Sequence, residues 1–514
     1  FFAYLKSLNI SLYMGDLLKK AKTFMLSGIV LTLTSILIHT VAMSFNVYIS
    51  KKIGAEALGI YHLILSIYMF GVTVAISGIS LAATRVVSAE IARNNLSGAK
   101  TLIKKCVKFS FVYGSIAAGI LVISSGYLVE VYFKHRISEM PLILIGLSLP
   151  FLAMSASING YFLAVRRATK TAMAQVLEQG VKIFCATYFI NLFMPKGLEG
   201  ACLALVLGGF MSELVSFIYL YVLYTLDMKK HLKTIGVDYV KDAVYVKKIF
   251  RISLPVSLTS YIRSFLSMFK QLIIPLRLEK SGLTGSYALS SYGMVSGMVL
   301  PMILFPHVFI ETFSSLLIPE FSNYFATKNK DKIRIVSKRI LKTTLIFSIG
   351  VAGVFYCFSL DLCKSIYNNT EIVNYVRILA PLTVLIYLDA VIDCILKGID
   401  EQVSVMLCNI LDLVVSIFCI YFLLPIYGVN GYIMVIFISE ILNCLVSTHT
   451  LLKKVELSLD VFHWVILPIV CVLLSRFLVY MLDINLFLKI PIFLLVYLTI
   501  LFLFRVISKE DFKV

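Results

Sequence analysis

The sequence predicts an all-α polytopic membrane protein of about fourteen transmembrane helices, arranged as two parallel six-helix lobes around a central cavity with two more helices at the carboxyl end. Three observations predict it. Hydrophobic residues make up 60% of the 514, charged residues 15%, and the mean hydropathy is +0.93, a balance outside that of soluble globular chains. Apolar stretches of the roughly 20 residues that a helix needs to cross hydrocarbon recur along the whole chain. The chain also repeats itself at an offset of about 230 residues.

The apolar stretches lie near residues 24 to 49, 58 to 82, 107 to 129, 140 to 164, 172 to 193, 199 to 225, 250 to 275, 286 to 312, 341 to 360, 373 to 396, 403 to 424, 428 to 451, 461 to 482 and 485 to 506. They are continuous rather than alternating, so helices that satisfy their own backbone in lipid are expected, not a barrel. Pro150, Pro255 and Pro301 fall inside them and predict kinks.

Orientation follows from the cations, because positive loops stay in the cytoplasm. Of the 47 Lys and Arg, 33 fall in the amino-terminal segment, the even-numbered loops and the carboxyl-terminal tail, and nine in the odd-numbered loops. Lys182, Arg263, Lys270, Arg377 and Arg476 lie inside spans. Both termini are therefore expected in the cytoplasm.

Residues 1 to 23 carry Asp16, Lys19, Lys20 and Lys22 with too little apolar run for a cleavable signal, so an interfacial lead-in is expected. The net charge of +19 sits in short cytoplasmic loops, where topology and anionic lipid headgroups account for it, and no nucleic-acid partner is expected. The ten cysteines show no CxxC and no His at ligand spacing, so they signal apolar packing rather than a metal site or a disulfide framework. Cys357 and Cys363, flanking an outward loop, are the pair that could meet.

Three stretches carry the repeat. Gly59-Ile-Tyr61 matches Gly285-Ser-Tyr287. Glu90 with Arg93, Lys100, Lys104 and Lys105 matches Glu320 with Lys328, Lys332, Lys338 and Arg339. Pro195, Gly197, Gly200, Ser212 and Glu213 match Pro425, Gly428, Gly431, Ser439 and Glu440. Six spans separate the matches, an even number, so the halves share one orientation. Residues 1–226 form the first lobe, 227–248 a cytoplasmic linker, 249–452 the second lobe and 453–514 the last two helices and the tail. Such pairs of lobes bind substrate between them near the midplane and rock to alternate access.

Polar side chains are costly in lipid and tend to face a cavity, and four spans carry them at helical spacing. The first has Thr32, Ser35, His39, Asn46 and Ser50, and the second His62, Ser66, Thr73, Ser77, Ser80 and Thr84. The seventh has Ser253, Ser257, Ser260, Arg263, Ser264, Ser267, Lys270 and Gln271, and the eighth Ser286, Ser290, Gly293, Gly297, His307 and Glu311. Small hydroxyls alone point to close helix packing. Arg263 and Lys270 do not, because a charge at depth costs about 3 kcal/mol on insertion scales unless it meets water, a partner or a substrate. With Ser260, Ser267 and Gln271 they are the candidates for an anionic substrate, and His39, Asn46 and His62 line the facing spans.

Glu178 and Lys182, and Asp393 and Lys397, are four apart and expected to pair along their own helices. Asp389 and Asp412 lack a local partner, and are candidates to hold a coupling cation or to neutralise Arg263 across the lobes. His39 and His62 could titrate in a proton-coupled cycle or simply hydrogen-bond.

The stretch IGAEALGIYHLILSIYMFGVTVAISGISLAATRVVSAEIARNN, residues 53 to 95, and the run RISLPVSLTSYIRS, residues 251 to 264, resemble the polysaccharide-transporter branch of the multidrug, oligosaccharidyl-lipid and polysaccharide exporter superfamily, and within it the stage V sporulation protein B group. The resemblance spans nearly the whole chain. It implies two six-helix lobes around a cavity lined by the first, second, seventh and eighth helices. It also implies a flippase for an undecaprenyl-pyrophosphate-linked saccharide in the bacterial cytoplasmic membrane, with the last two helices forming a groove for the lipid tail. Basic cavity residues of the family fall at Arg263 and Lys270, with Arg85 a further candidate.

The drug-exporting relatives carry an acidic cation-binding residue in the first helix, and this first span has only His39 and Asn46, which argues against a drug antiporter. The alternative is a cation- or proton-coupled exporter of small amphiphiles using Asp389 or Asp412. A membrane-bound glycan polymerase would want a large polar outward loop, and the outward loops are short. No Walker motif, nucleophile elbow or zinc spacing is present, so no enzyme is expected. The expected partners are a lipid-linked anionic saccharide, membrane lipids and a coupling cation or proton. The chain is expected to act as a monomer without a cofactor.

Overall fold

The computed structural model describes residues 2–506 apart from 77, 94–95, 232–241, 458–459 and 481–484. For 2–33, 229–231, 242–256 and a few single positions it describes the backbone alone. The side chains of the expected lead-in and most of the linker lie outside the described residues.

Every element among the described residues is helical. The run Phe2–Ile76 breaks at Gly54 into α1 (2–53) and α2 (55–76), and Ile79–Ala92 carries α2 onward beyond Gly78. Then follow α3 (Leu96–Leu128), α4 (Met140–Ala164), α5 (Ala168–Phe193), α6 (Gly197–His231) and α7 (Asp242–Glu279). Helix α8 (Gly285–Leu304) is succeeded beyond Pro306 by His307–Ala326. Helix α9 is Lys330–Cys357, and α10 joins Val373–Leu379 to Leu382–Gly398 at 47°. The run Gln402–Val455 breaks at Gly428 into α11 (402–427) and α12 (429–455). Last come α13 (462–480) and α14 (Leu486–Leu503).

Eight helical runs among the described residues are long and apolar enough to cross a membrane, nine when the arms of α10 count together. Two of these runs, Thr169–Met228 and Gln402–Val455, have 60 and 54 residues, over twice the roughly 20 that one crossing takes. The labels therefore number helical segments and not crossings. Large apolar side chains stand bare on the outside, Ile123 at 87% exposure, Leu503 at 74% and Phe184 at 73%. Water would not tolerate such a surface, and lipid covers it. The chain is a multi-pass membrane protein.

The structure departs from the sequence expectation at three places. The eighth stretch is not continuous over 286–312, because helix ends at Leu304 and restarts at His307. Pro306 has no amide proton to continue the ladder and caps the next helix instead. The tenth stretch bends at Ala380 and Pro381 for the same reason. A short helix, Ser359–Tyr367, follows α9 where a loop was expected. All ten cysteines are free, Cys357 and Cys363 included.

The sequence repeat has a structural counterpart at two corners. Gly197 opens α6 at φ 72°, ψ −148°, and Gly428 opens α12 at φ 56°, ψ −131°, a backbone region that is essentially glycine's own. Three residues on, a β-carbon at Gly200 would overlap the Phe193 carbonyl, and one at Gly431 would press on the Leu423 carbonyl.

Packing is dense within the first six helices, with α3 on α4, α5 on α6 and α4 on α6. In the second part α7 packs on the α11–α12 run, α10 packs on that run and on His307–Ala326, and α13 packs on α9 and α14. The α1–α2 run meets α7 and α8. The cavity lies at that meeting.

Candidate substrate cavity

A cavity of about 430 Å³ opens between α2, α7 and α8. Its polar wall is His62 and Ser66 of α2, Ser264, Ser267 and Gln271 of α7, and Tyr292 and Ser296 of α8; Met69, Met268 and Leu300 are among its apolar residues. Tyr292 donates its hydroxyl proton to Gln271 Oε1 at 2.7 Å, and Ser296 shares a hydrogen bond of 2.7 Å with the Tyr432 hydroxyl of α12. These bonds hold the wall polar in an interior that otherwise penalises unpaired groups. On one flank α2 and α7 touch, with Ser264 Oγ donating to Thr73 Oγ1 at 3.0 Å and Phe70 edge-on to Phe265.

One end of the cavity is sealed by backbone against backbone. A β-carbon on Gly59 of α2 would overlap the Leu289 carbonyl, and one on Gly293 of α8 would overlap the Ala55 carbonyl and the Gly59 amide. Only residues without a β-carbon allow this approach. Beyond the seam, Lys134, between α3 and α4, pairs with Glu279 at the end of α7, and Arg136 pairs with Glu56 of α2 at 3.1 Å.

Of the residues that the sequence singled out, His62, Ser267 and Gln271 line the cavity. Lys270 does not. Its ammonium donates to Ser416 Oγ of α11 at 3.1 Å, in the field of Asp412 and Glu440. At 100° per residue the lining of α7 centres about 50° beyond Ser267, which leaves Lys270 about 110° around the helix. Arg263, one turn before Ser267, is exposed and in the field of Asp393. Ser260 is half-buried one turn before Ser264, and Arg85 is exposed on Ile79–Ala92; neither lines the cavity. On α1, His39 is exposed, and Asn46 is half-buried with its Oδ1 unpartnered; both lie outside the lining. The expected cationic wall is thus a hydroxyl and amide wall, with no Lys, Arg, Asp or Glu in its described lining.

Sequence reasoning passed over Tyr292 and Ser296. Residues Gly293–Val299 form a wide π turn, which shifts every later side chain off the 3.6-residue register that the stripe assumed. Gly293 and Gly297 face α2, and Tyr292 and Ser296, one residue before each, face the cavity.

The half-buried acids Asp389, Asp393, Asp412 and Glu440 lie behind α7, and Glu178 lies on α5. Ser416 donates to Ser439 Oγ at 3.0 Å, and Ser439 donates in turn to Asp412. Asp389 of α10 accepts from Asn443 Nδ2 of α12 at 2.7 Å. Asp393 pairs with Lys397 at 3.3 Å, as their spacing predicts. Glu178 accepts from Ser216 at 3.1 Å and lies in the field of Lys182.

The polysaccharide biosynthesis protein family matches residues 25–325, and the MatE family matches residues 255–422. Stage V sporulation protein B of Bacillus subtilis (strain 168) is 21% identical over 511 residues, 96% of this chain and 97% of that protein. Sporulation protein YkvU of the same organism is 21% identical over 358 residues, 69% of this chain and 77% of that one. Among solved structures, the lipid II flippase MurJ in an inward closed conformation superposes with a TM-score of 0.67 at 15% identity, covering 93% of this chain and 99% of its own. An inward-facing multidrug resistance MATE family transporter of the MOP superfamily superposes at 0.65 and 15% identity, covering 83% and 98%. These likenesses give the chain the fold of that superfamily. With more than half of its length matched, the chain belongs to the polysaccharide biosynthesis protein family.

Proposed function

We propose that this protein carries a lipid-linked anionic saccharide, an undecaprenyl-pyrophosphate-linked glycan, from the cytoplasmic to the outer leaflet of the bacterial cytoplasmic membrane. The observation that carries this reading is the hydroxyl- and amide-lined cavity between α2, α7 and α8, sealed at one end by the Gly59–Gly293 seam. Hydroxyls and amides match the hydroxyl and acetamido groups of a sugar, and the absence of carboxylates from the wall spares a pyrophosphate repulsion. Arg263, exposed and directly before Ser264 of the lining, is the nearest candidate on α7 for the pyrophosphate.

The loop charges orient the sealed end outward, so the cavity is read as belonging to a state that has closed its outer face. Residues 1–226 and 249–452 act as the two lobes, and rocking about the α2–α7 and α2–α8 contacts alternates access. The similarity to stage V sporulation protein B and to a lipid II flippase supports a cell-envelope precursor as cargo. A second reading, a cation-coupled exporter of small amphiphiles, is favoured by the MatE match over residues 255–422 and by the carboxylates behind α7.

Flipping of a fluorescent undecaprenyl-pyrophosphate glycan in proteoliposomes tests the proposal. Wild type is expected to expose the lipid to an outside quencher, and folded Arg263→Ala is expected to do so more slowly. A folded wild type that flips nothing yet expels small amphiphiles down a cation gradient would establish the second reading instead.

A further inference from the structure

At the sealed end of the molecule four cations gather on a side where the chain keeps few. Lys134 and Arg136 lie between α3 and α4, Arg277 in the last turn of α7, and Lys280 directly after that helix. All four belong to the nine Lys and Arg of the odd-numbered loops. Cations are thinned from the side that faces away from the cytoplasm, so topology does not account for the cluster. The negative end of α7 would attract one of them, not four.

Two of the four are committed to carboxylates. Lys134 pairs with Glu279, and Arg136 with Glu56 at 3.1 Å. Arg277 and Lys280 make no ion pair and no side-chain hydrogen bond among the described residues. Arg277 is held all the same, with its guanidinium carbon 3.6 Å from the centre of the Tyr421 ring on α11. Stacking fixes the plane of a guanidinium and leaves the donors on its edge unspent. A fixed fork of free donors recognises the oxygens of a phosphate or a carboxylate.

The surroundings choose among anions. Lys134, Arg277, Glu279 and Lys280 line a cavity of about 510 Å³, with Ile273 and Leu276 as its apolar wall. Three cations against one carboxylate leave it positive, so it draws negative charge. Beside Arg277, α11 presents a bare aromatic surface, with Phe418 at 63% exposure, Phe422 at 51% and Tyr421 at 50%. In a bilayer the ring of such a tyrosine sits at the level of the headgroups. A soluble anion gains nothing from that surface. A lipid gains from both parts, its phosphate on the cations and its chains along the rings.

We infer that Arg277 and Lys280, with Lys134 at the rim, bind the phosphate of an anionic lipid of the outer leaflet, whose chains lie along Tyr421 and Phe422. The phosphate competes with Glu279 for Lys134, the pair that fastens the sealed end, so an occupied site eases that fastening. This consequence, and the choice of leaflet, rest on the transport reading above; the binding itself does not.

Native mass spectrometry of the purified full-length protein in detergent, titrated with phosphatidylglycerol and with diacylglycerol of the same chains, tests it. Wild type is expected to bind one phosphatidylglycerol saturably and diacylglycerol at least about tenfold more weakly. Arg277→Ala and Lys280→Ala are each expected to weaken phosphatidylglycerol about tenfold, the scale of one hydrogen bond to a charged group. Lys280 is exposed, so its variant reads binding without a loss of folding. Lys196→Ala, which removes another loop cation resting on an aromatic ring, that of Phe193, is the control and should leave binding unchanged. Undecaprenyl pyrophosphate separates the two sources of the phosphate: tighter binding than phosphatidylglycerol, weakened by Arg277→Ala, assigns the site to released cargo, and the reverse order assigns it to a resident phospholipid. Equal binding with and without the phosphate overturns the inference. So does phosphatidylglycerol binding that folded Arg277→Ala and Lys280→Ala leave unchanged, or inorganic pyrophosphate that binds as tightly as the lipid. A protein that flips lipid yet fails these titrations loses this inference alone, and one that passes them but flips nothing loses the transport reading alone.

Discussion

The ammonium of Lys270 donates to Ser416 Oγ at 3.1 Å, across the contact between α7 and α11 and away from the cavity that Ser267 and Gln271 line on the same helix. Lys270→Met is therefore expected to act on stability. It removes the charged donor to Ser416 and a cation from the field of Asp412 and Glu440, and a lost hydrogen bond from a charged group costs about 1.5–3 kcal/mol. Thermal unfolding in detergent should show a clear drop, and adding Asp412→Asn should recover part of it. An additive double variant would sever the link between the two residues.

The Tyr292–Gln271 bond makes the cavity wall one unit. Tyr292→Phe and Gln271→Leu are each expected to slow flipping about tenfold, the effect of roughly 1.4 kcal/mol for a lost hydrogen bond. The double variant should be little worse than either single one, because both remove the same contact.

The seam of Gly59 and Gly293 has no room for a β-carbon. Gly293→Val is expected to disfavour the sealed state by about 1–3 kcal/mol, the cost of overpacking. A cysteine replacing Ser66 inside the cavity should then react faster with an impermeant maleimide added from outside. Gly119→Val, where a β-carbon meets nothing within 4 Å, is the control and should leave labelling unchanged.

The Lys134–Glu279 pair fastens the same end at the rim and is half exposed on the lysine side. Lys134→Glu is expected to loosen it by about 0.5–1 kcal/mol. The reversed pair, Lys134→Glu with Glu279→Lys, should restore maleimide protection toward the wild-type rate, and high salt should shrink the difference.

At the two matched corners, Gly197→Ala and Gly428→Ala are each expected to cost about 1–2 kcal/mol in unfolding, the penalty of left-handed backbone for an L-residue. Gly180→Ala inside α5, with open space at its β-carbon, should instead gain about 0.5–1 kcal/mol from helix propensity. Equal losses at 197 and 428 would show that the repeated corners carry equal weight.

By itself the sequence determined the membrane class, the helical secondary structure, the internal repeat and the family. Each depends on properties that survive along a linear chain: stretches of hydrophobicity, and glycines such as Gly197 and Gly428 at a fixed offset. It also singled out the first, second, seventh and eighth spans as cavity helices, since polar residues on them cannot all face lipid; α2, α7 and α8 supply the described lining and α1 none of it. Only the tertiary structure decided which side chains meet there. Lys270 left the cavity because the lining centre of α7 is set by where α2 and α8 touch it. Tyr292 and Ser296, one turn apart, entered because Gly293 and Gly297 beside them are the face that packs on α2, and the break at Pro306 ends the stripe early. Asp389 of α10 and Asn443 of α12, hydrogen-bonded to each other, stand 54 residues apart in the chain. A helix face is local, but its neighbour is set by packing, and packing alone brings this pair together.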